Sequence, residues 1–213
     1  KLALFDPNLS INMTETQIAS NSIQTLCIAI EAYISQKSNF FSDTILEKAI
    51  ELLANGFDGS PNISGSASSE ILLAQGGCMT SLGCALSSIG PASLLALTID
   101  GRFQITSSLT AGILLPYVIE DAAKYKNDKL ANVAKIMRLA DQTTDPKTAV
   151  SALSENIRNR LALANLPARL KDLSVSIEQL ALAAEDAGQL DFISGLPRSM
   201  NADDLFDLIK QSF

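Results

Sequence analysis

Apolar residues recur along most of the chain at the spacing of an α-helix with one buried face. In residues 21–35, the positions i, i+3, i+4, i+7 and i+11 are held by Ile23, Leu26, Cys27, Ile30 and Ile34. This helical period predicts an amphipathic helix with its apolar face in a core. The other face carries a row at i, i+4 and i+7, formed by Gln24, Ile28 and Glu31.

Loop and capping residues divide the next part of the chain. Ser42, a favoured N-cap residue, is predicted to open a second helix, and Gly56 is predicted to end it. Residues 57–67, FDGSPNISGSA, are rich in Gly, Ser, Pro and Asn and predict a loop. Residues 68–88 predict a long helix whose small side chains suit close packing inside a bundle.

Prolines shape the predictions for the centre of the chain. Residues 91–98 predict a short buried helix with Pro91 in its first turn. Residues 107–124 predict another helix, which Pro116 should kink because it removes one backbone donor. A separate helix is predicted over residues 128–140.

Three capping patterns predict the helices of the C-terminal third. Asp145 followed by Pro146 is typical of an N-cap with proline at the first helical position. Ser176 with Gln179 forms a capping box. Asn201 is predicted to cap the last helix, whose acidic first turn suits the helix dipole.

Taken together, these elements predict an all-α, multi-helix bundle in a single domain, residues 1–213. Residues 2–5, LALF, are the one stretch with some strand character. A chain of 213 residues, 47% of them hydrophobic, is long enough to bury a substantial core.

Charge and hydropathy argue against two classes of partner. The net charge of −7 disfavours nucleic acid, because phosphate binding needs a basic face. No apolar run approaches the roughly 20 residues that cross a bilayer, and no secretory leader is predicted.

Cysteine content and the first residue add two expectations. The odd number of cysteines, Cys27, Cys78 and Cys84, in apolar or small-residue surroundings predicts reduced core thiols in a cytoplasmic protein. The chain begins with Lys1 rather than Met, which indicates a piece of something longer.

The absence of histidine limits the chemistry most strongly. With no histidine in its 213 residues, the chain lacks the commonest general base and the commonest transition-metal ligand. Ser-His-Asp and Cys-His catalysis are excluded within it, as are histidine-containing zinc and iron sites. Gly76-Gly77 lacks the spacing of a phosphate-binding glycine loop.

Five segments in order resemble the C-terminal helical domain of the iron-containing alcohol dehydrogenases, within the dehydroquinate-synthase-like superfamily. They are FDPNLSINM at 5–13, AIEAYIS at 29–35, AGILLPYVIE at 111–120, ANLPARLKDLSVSIEQLALAAEDA at 164–187 and LPRSMNADDLFDLIKQSF at 196–213. The resemblance covers essentially the whole chain. It implies that residues 1–15 lead in from an N-terminal nucleotide-binding domain that this chain lacks.

The resemblance also implies a metal site and shows that this chain departs from it. In that family one Asp and three His hold iron or zinc, which polarises the alcohol or aldehyde oxygen during hydride transfer with NAD(P). The four ligand positions correspond here to Gln24, Ile28, Ser93 and Ser107, and Leu97 takes a substrate-side histidine position.

We therefore expect no metal of the family's type and no cofactor within this chain, because neutral amide and hydroxyl groups replace the ligands. The expected result is a partly apolar pocket whose polar groups bond to one another or to water. A weak oxygen-only site using Gln24, Glu31 or Asp100 stays open as an alternative.

Several other side chains have both a functional and a structural interpretation. Glu31 suits a general acid or base, yet its place in AIEAYIS favours a structural carboxylate that caps a neighbouring helix. Tyr33 and Tyr117 are expected to be core aromatics with a bonded hydroxyl. A loose basic cluster is expected to form a solvated helix face, with an anion or partner site as the alternative, and consists of Arg158, Arg160, Arg169 and Lys171.

Three functions follow as expectations. The first is the C-terminal domain of an NAD(P)-dependent alcohol or aldehyde oxidoreductase, metal-free and inactive by itself, with no catalytic residue of its own. The second is a pseudoenzyme domain retained for ligand binding or for assembly, for example as a homodimer. The third is a parent protein that catalyses a metal-independent reaction with groups on the absent domain.

Overall fold

The computed structural model describes residues 6, 8, 12–58 and 68–213. Its α-helices are α1 (Glu15–Ile34), α2 (Phe40–Asp58), α3 (Ser69–Ala85), α4 (Pro91–Phe103), α5 (Ser107–Ile136), α6 (Pro146–Leu163), α7 (Ile177–Gly188) and α8 (Ala202–Ser212). Short 3₁₀ helices span Leu170–Leu173 and Asp191–Gly195. No strand occurs in these ranges, and the predicted all-α bundle is confirmed. The stretch 2–5 lies outside the described residues.

Helix α1 lies in the middle of the bundle. Its start is fixed by a capping box in which the Thr14 hydroxyl accepts from Gln17 N and the Gln17 side chain accepts from Thr14 N. It packs against α2, α3, α4, α5 and α6. The apolar residues predicted for its core face are all buried, because neighbours surround the helix on several sides.

Glycines let α2 and α3 pack closely, as the small-residue content of α3 predicted. A Cβ added at Gly83 would lie 2.5 Å from Leu46 Cγ, and one at Gly76 would lie 2.8 Å from Leu53 Cγ. Gly56 was expected to end α2, and this prediction is wrong. Gly56 lies inside α2 against Leu73, so it serves close packing and not termination.

Two further helix boundaries differ from the prediction, the start of α2 and the end of α4, which continues to Phe103 and not only to residue 98. Helix α2 begins at Phe40, because the Asn39 side chain accepts from the backbone N–H groups of Phe41 and Ser42. Helix α5 spans both helices predicted over 107–124 and 128–140, and its residue with non-helical backbone angles, Lys126 (φ −129°, ψ 29°), lies in the gap predicted between them. The predicted break between the two helices is therefore confirmed at Lys126, whereas the kink predicted at Pro116, which lies inside the helix, stays a prediction.

The caps predicted for the C-terminal third are confirmed. Asp145 Oδ2 accepts from Lys147 N and Thr148 N at the start of α6. Ser176 and Asn201 each complete a capping box, at the starts of α7 and α8. Within the described ranges, no helix has both the length and the apolar character that crossing a membrane requires.

Candidate functional site

The candidate site lies where α1 meets the first turns of α4 and α5. Gln24 and Ile28 are one turn apart on α1 and are both partly exposed. Gln24 Nε2 donates to Ser107 Oγ of α5 over 3.0 Å, although 83 residues separate them. The structure thus brings together two of the predicted positions in direct contact.

The start of α4 is capped by a side chain from α1. Its own N-cap residue is Gly90, which has no side chain to offer. The Glu31 carboxylate instead accepts from the backbone N–H groups of Gly90 (3.3 Å), Ala92 (2.6 Å) and Ser93 (3.0 Å). Glu31 is fully buried, so the expected structural, helix-capping role is confirmed.

Two more predicted positions follow on α4. Ser93 is partly exposed, and its Oγ lies 3.9 Å from Cys27 Sγ on α1. Leu97, one turn later, is 51% exposed. The contact of Cys27 with Ser93 was not anticipated, although its position one turn before Glu31 could have indicated it.

Burial raises the pKa of the two acidic groups, Glu31 and Cys27, where α1 contacts the start of α4. Burial raises the pKa of the Glu31 carboxyl, against the lowering effect of its hydrogen bonds to Ser93, Ala92 and Gly90. Burial, assisted by the nearby Glu31, also raises the pKa of the Cys27 thiol well above its ordinary value. Cys27 is therefore a protonated thiol near neutral pH, and metal binding and nucleophilic attack both require the thiolate.

The donor chemistry at the site does not fit iron or zinc. Gln24 and the two serines offer neutral oxygens, Ile28 offers none, and both Glu31 oxygens are bonded to the backbone of α4. Such a set lacks the thiolate, imidazole and free carboxylate ligands of transition-metal sites. In the described part of the chain, no group of three or more His, Cys, Asp or Glu side chains is placed to hold a metal.

A second polar cluster links α1, α2 and α5 away from this site. Tyr33 Oη donates to Glu47 Oε1 over 2.6 Å, and Asn132 donates to both atoms over 2.9 Å. Tyr33 is buried, as predicted, and burial together with the Glu47 hydrogen bond raises the pKa of its hydroxyl. Lys129 Nζ donates to Asp43, Ser38 and the Tyr33 carbonyl, so this cluster serves to hold helices together.

Two predictions about surface and core residues are wrong. Arg160 was expected on a solvated face, but it is 3% exposed, lies 4.3 Å over the Phe57 ring and donates to Asn156 Oδ1. Cys78 was expected in the core, but it is exposed, whereas Cys27 is buried. Both errors arise because the helical pattern does not say which neighbours cover a given face.

Comparison with known proteins supports the resemblance over nearly the whole chain. The sequence profile of the Fe-containing alcohol dehydrogenase family, C-terminal, matches residues 18–213. Lactaldehyde reductase of Escherichia coli K12 is 24% identical over 208 residues, which are 98% of this chain and 54% of that protein. The 1,3-propanediol dehydrogenase of Klebsiella pneumoniae is 22% identical over 219 residues, 100% of this chain and 55% of that protein.

Solved structures show the same fold. A 1,3-propanediol oxidoreductase superposes with a TM-score of 0.88 at 22% identity, over 98% of this chain and 55% of that one. An alcohol dehydrogenase from Oenococcus oeni gives 0.88 at 18% identity, over 98% and 54%. This chain therefore spans about half the length of the relatives it matches. It belongs to the Fe-containing alcohol dehydrogenase family and corresponds to the C-terminal helical domain of its members.

Proposed function

We propose that this chain is the helical half of an NAD(P)-dependent alcohol or aldehyde oxidoreductase-like protein, and that it binds no catalytic metal and is inactive by itself. Among the relatives it resembles are a lactaldehyde reductase, 1,3-propanediol dehydrogenases and a long-chain-alcohol dehydrogenase, which by name act on alcohols or aldehydes. A sulfoacetaldehyde reductase of the same fold was solved with NAD⁺.

The replaced donor set carries this proposal. All four positions that correspond to the family's ligands hold a side chain that is neutral at every ordinary pH, and two of them are bonded to each other. A divalent cation loses hydration free energy when it leaves water, and a site without an ionised ligand does not offset that loss. Metal-assisted polarisation of a substrate oxygen is accordingly not proposed for this domain.

Binding of the NAD(P) cofactor is assigned to a preceding domain. Since the relatives are nearly twice as long, residues 1–15 are proposed to lead in from a nucleotide-binding domain that would hold NAD(P). A cleft enzyme divided at its cleft lacks half of its binding groups, so the isolated chain should not turn over. A phosphate-binding glycine turn in the upstream sequence would support this arrangement.

The second candidate is a pseudoenzyme domain that serves assembly. Phe40 and Phe41 begin α2 with exposed fractions of 79% and 70%, and their rings meet edge to face with centroids 5.8 Å apart. Exposed aromatic pairs of this kind occur at protein interfaces. Analytical ultracentrifugation of the wild type and of a Phe40→Ser/Phe41→Ser variant tests it, because a homodimer through this pair should dissociate in the variant.

We also infer a cytoplasmic protein, since cysteines that stay reduced suit a reducing compartment. Cell fractionation with a tagged full-length protein tests this location, and recovery in a membrane or secreted fraction would contradict it.

The central experiment measures metal content by inductively coupled plasma mass spectrometry, before and after exposure to Fe²⁺ and Zn²⁺, with thermal melting alongside. A metal that binds the folded state raises its melting temperature by mass action. We expect no retained metal and no shift, whereas the Escherichia coli lactaldehyde reductase, treated in parallel, serves as the family comparison. One equivalent bound with a raised melting temperature would show that the proposed metal-free site is wrong.

A further inference from the structure

Two of the replaced ligand positions now bond to each other across helices. Gln24 Nε2 on α1 and Ser107 Oγ on α5 are 3.0 Å apart, which is normal for a neutral hydrogen bond. Both side chains are partly buried. A direct side-chain hydrogen bond therefore joins α1 to the start of α5.

The third helix of the site is fixed in the same place by other contacts. Glu31 holds the first turn of α4 through three backbone N–H groups, and Ser93 in that turn faces Cys27 of α1. The Glu31 hydrogen bonds go to backbone N–H groups, so they do not depend on the side chain at position 93 and can persist when that side chain is replaced. The Cys27 contact uses the Ser93 hydroxyl and is lost when Ser93 is replaced.

A neutral pair is a physically reasonable substitute for a metal-bound pair. An aspartate or histidine left at this joint without its metal would face repulsion or desolvation with no compensating partner. An amide that donates to a hydroxyl satisfies both groups at small cost. Replacement of charged ligands by Gln24 and Ser107 therefore leaves no charge for a cation to neutralise, and the hydrogen bond still connects α1 to α5.

We propose that the Gln24–Ser107 hydrogen bond replaces the metal as the cross-link between α1 and α5, and that the helices retain an arrangement able to bind a divalent cation once ligands are restored. This inference rests on the proposed function, because it takes the present site to be metal-free.

The test rebuilds the ligand set in the variant Q24D/I28H/S93H/S107H. Titration with Co²⁺ should give visible ligand-field absorption at one equivalent. It should also raise the melting temperature, corresponding to about a 100-fold larger folding constant when Co²⁺ exceeds its dissociation constant 100-fold. The control Q24D/I28A/S93H/S107H lacks one ligand and should bind much more weakly. A folded four-residue variant that leaves Co²⁺ unbound would overturn the proposal.

A double-mutant cycle keeps the proposal testable even if the rebuilt variant does not fold. Gln24→Ala, Ser107→Ala and the double variant should show a coupling of about 2- to 10-fold in the unfolding equilibrium constant, as a hydrogen bond predicts. Additive effects would overturn the cross-link. Co²⁺ binding by the unaltered protein would instead overturn the proposed function, so the two failures are distinguishable.

Discussion

Two regions of α1, one helical turn apart, differ sharply in how much chemistry they retain. Glu31 is an acid with no exposed surface, and its carboxylate is bonded to three backbone N–H groups of α4. Gln24 and Ile28 are partly exposed and carry no ionisable group. The difference teaches that a buried, satisfied carboxylate is part of the fold itself, because its loss leaves polar groups unpaired.

The open region is under a weaker physical constraint. A partly exposed side chain can be exchanged at a cost of about 1 kcal/mol or less when water replaces its partners. The positions proposed to correspond to the family's ligands can therefore change while α1, α4 and α5 keep their packing. The predictions that follow test this contrast between the Glu31 cap and the face that carries Gln24, Ile28 and Leu97.

The largest effect is expected for Glu31→Ala. The variant leaves buried N–H groups at the start of α4 without an acceptor, so the free energy of unfolding should fall by about 3 kcal/mol. Urea denaturation measures this change. Gln24→Ala is the matched control on the same helix, with an expected loss of about 1 kcal/mol. Equal losses in the two variants would remove the contrast.

A smaller effect is expected when the space around the cap is filled. A Cβ at Gly90 would lie 2.7 Å from Glu31 Cβ and Cδ, so Gly90→Ala should cost about 1–3 kcal/mol through forced displacement. Gly101, inside α4, has nothing within 4 Å of an added Cβ. Gly101→Ala should therefore stabilise the protein by about 0.5–1 kcal/mol, as alanine does in a helix. Denaturant midpoints that move in the same direction for both would contradict this explanation.

The pH dependence of stability should reveal the same buried carboxyl. Burial raises the pKa of Glu31 above its ordinary value of 4.5, so the folded protein keeps this proton where the unfolded chain has released it. The stability from this group is complete below about pH 4.5 and is lost as the pH rises through the folded-state pKa.

Glu31→Gln cannot titrate, so it isolates this contribution from those of the exposed acids. We expect the unfolding free energy of the wild type to fall relative to that of Glu31→Gln as the pH is raised from 4 to 8. A series of urea unfolding curves at fixed salt measures the difference. The difference in unfolding free energy between the wild type and Glu31→Gln is the deciding quantity. If it stays constant, or grows in favour of the wild type as the pH rises, the Glu31 pKa is not raised.

The smallest effect is expected on the open face. Leu97 is 51% exposed, so Leu97→Ser should change the free energy of unfolding by no more than about 0.5 kcal/mol. Thermal melting of the isolated domain measures it. Leu94→Ser, one turn earlier at a position with no exposed surface, is the control and should be strongly destabilising. A large loss in Leu97→Ser would indicate that this face is packed against another part of the protein.

Much of the fold was predictable because local signals agreed with the tertiary packing. The caps at Asp145, Ser176 and Asn201 were each confirmed, since a capping side chain and its N–H partners lie within three residues. Gly56 was not predictable in the same way, because it serves the approach of α3 and does not end α2. The break at Lys126, in contrast, falls in the gap predicted between the helices over 107–124 and 128–140.

The candidate site was likewise predictable only in part. The proposal that Gln24, Ile28, Ser93 and Ser107 replace the family's ligands rests on residue types and segment order alone. The direct bond between Gln24 and Ser107, and the approach of Cys27 to Ser93, could not be predicted, because each joins residues from different helices.

The sequence by itself determined that this is a helical domain without histidine, with helix starts set by local caps and with neutral side chains at the four positions proposed to correspond to the family's metal ligands. Tertiary structure alone decided which of these side chains meet, which basic residue is buried over an aromatic ring, and that a carboxylate from α1 caps α4. The physical reason is the sequence separation over which each kind of interaction acts. Capping and helical periodicity act over a few residues, whereas burial and interhelical hydrogen bonds depend on segments that only the folded chain brings together.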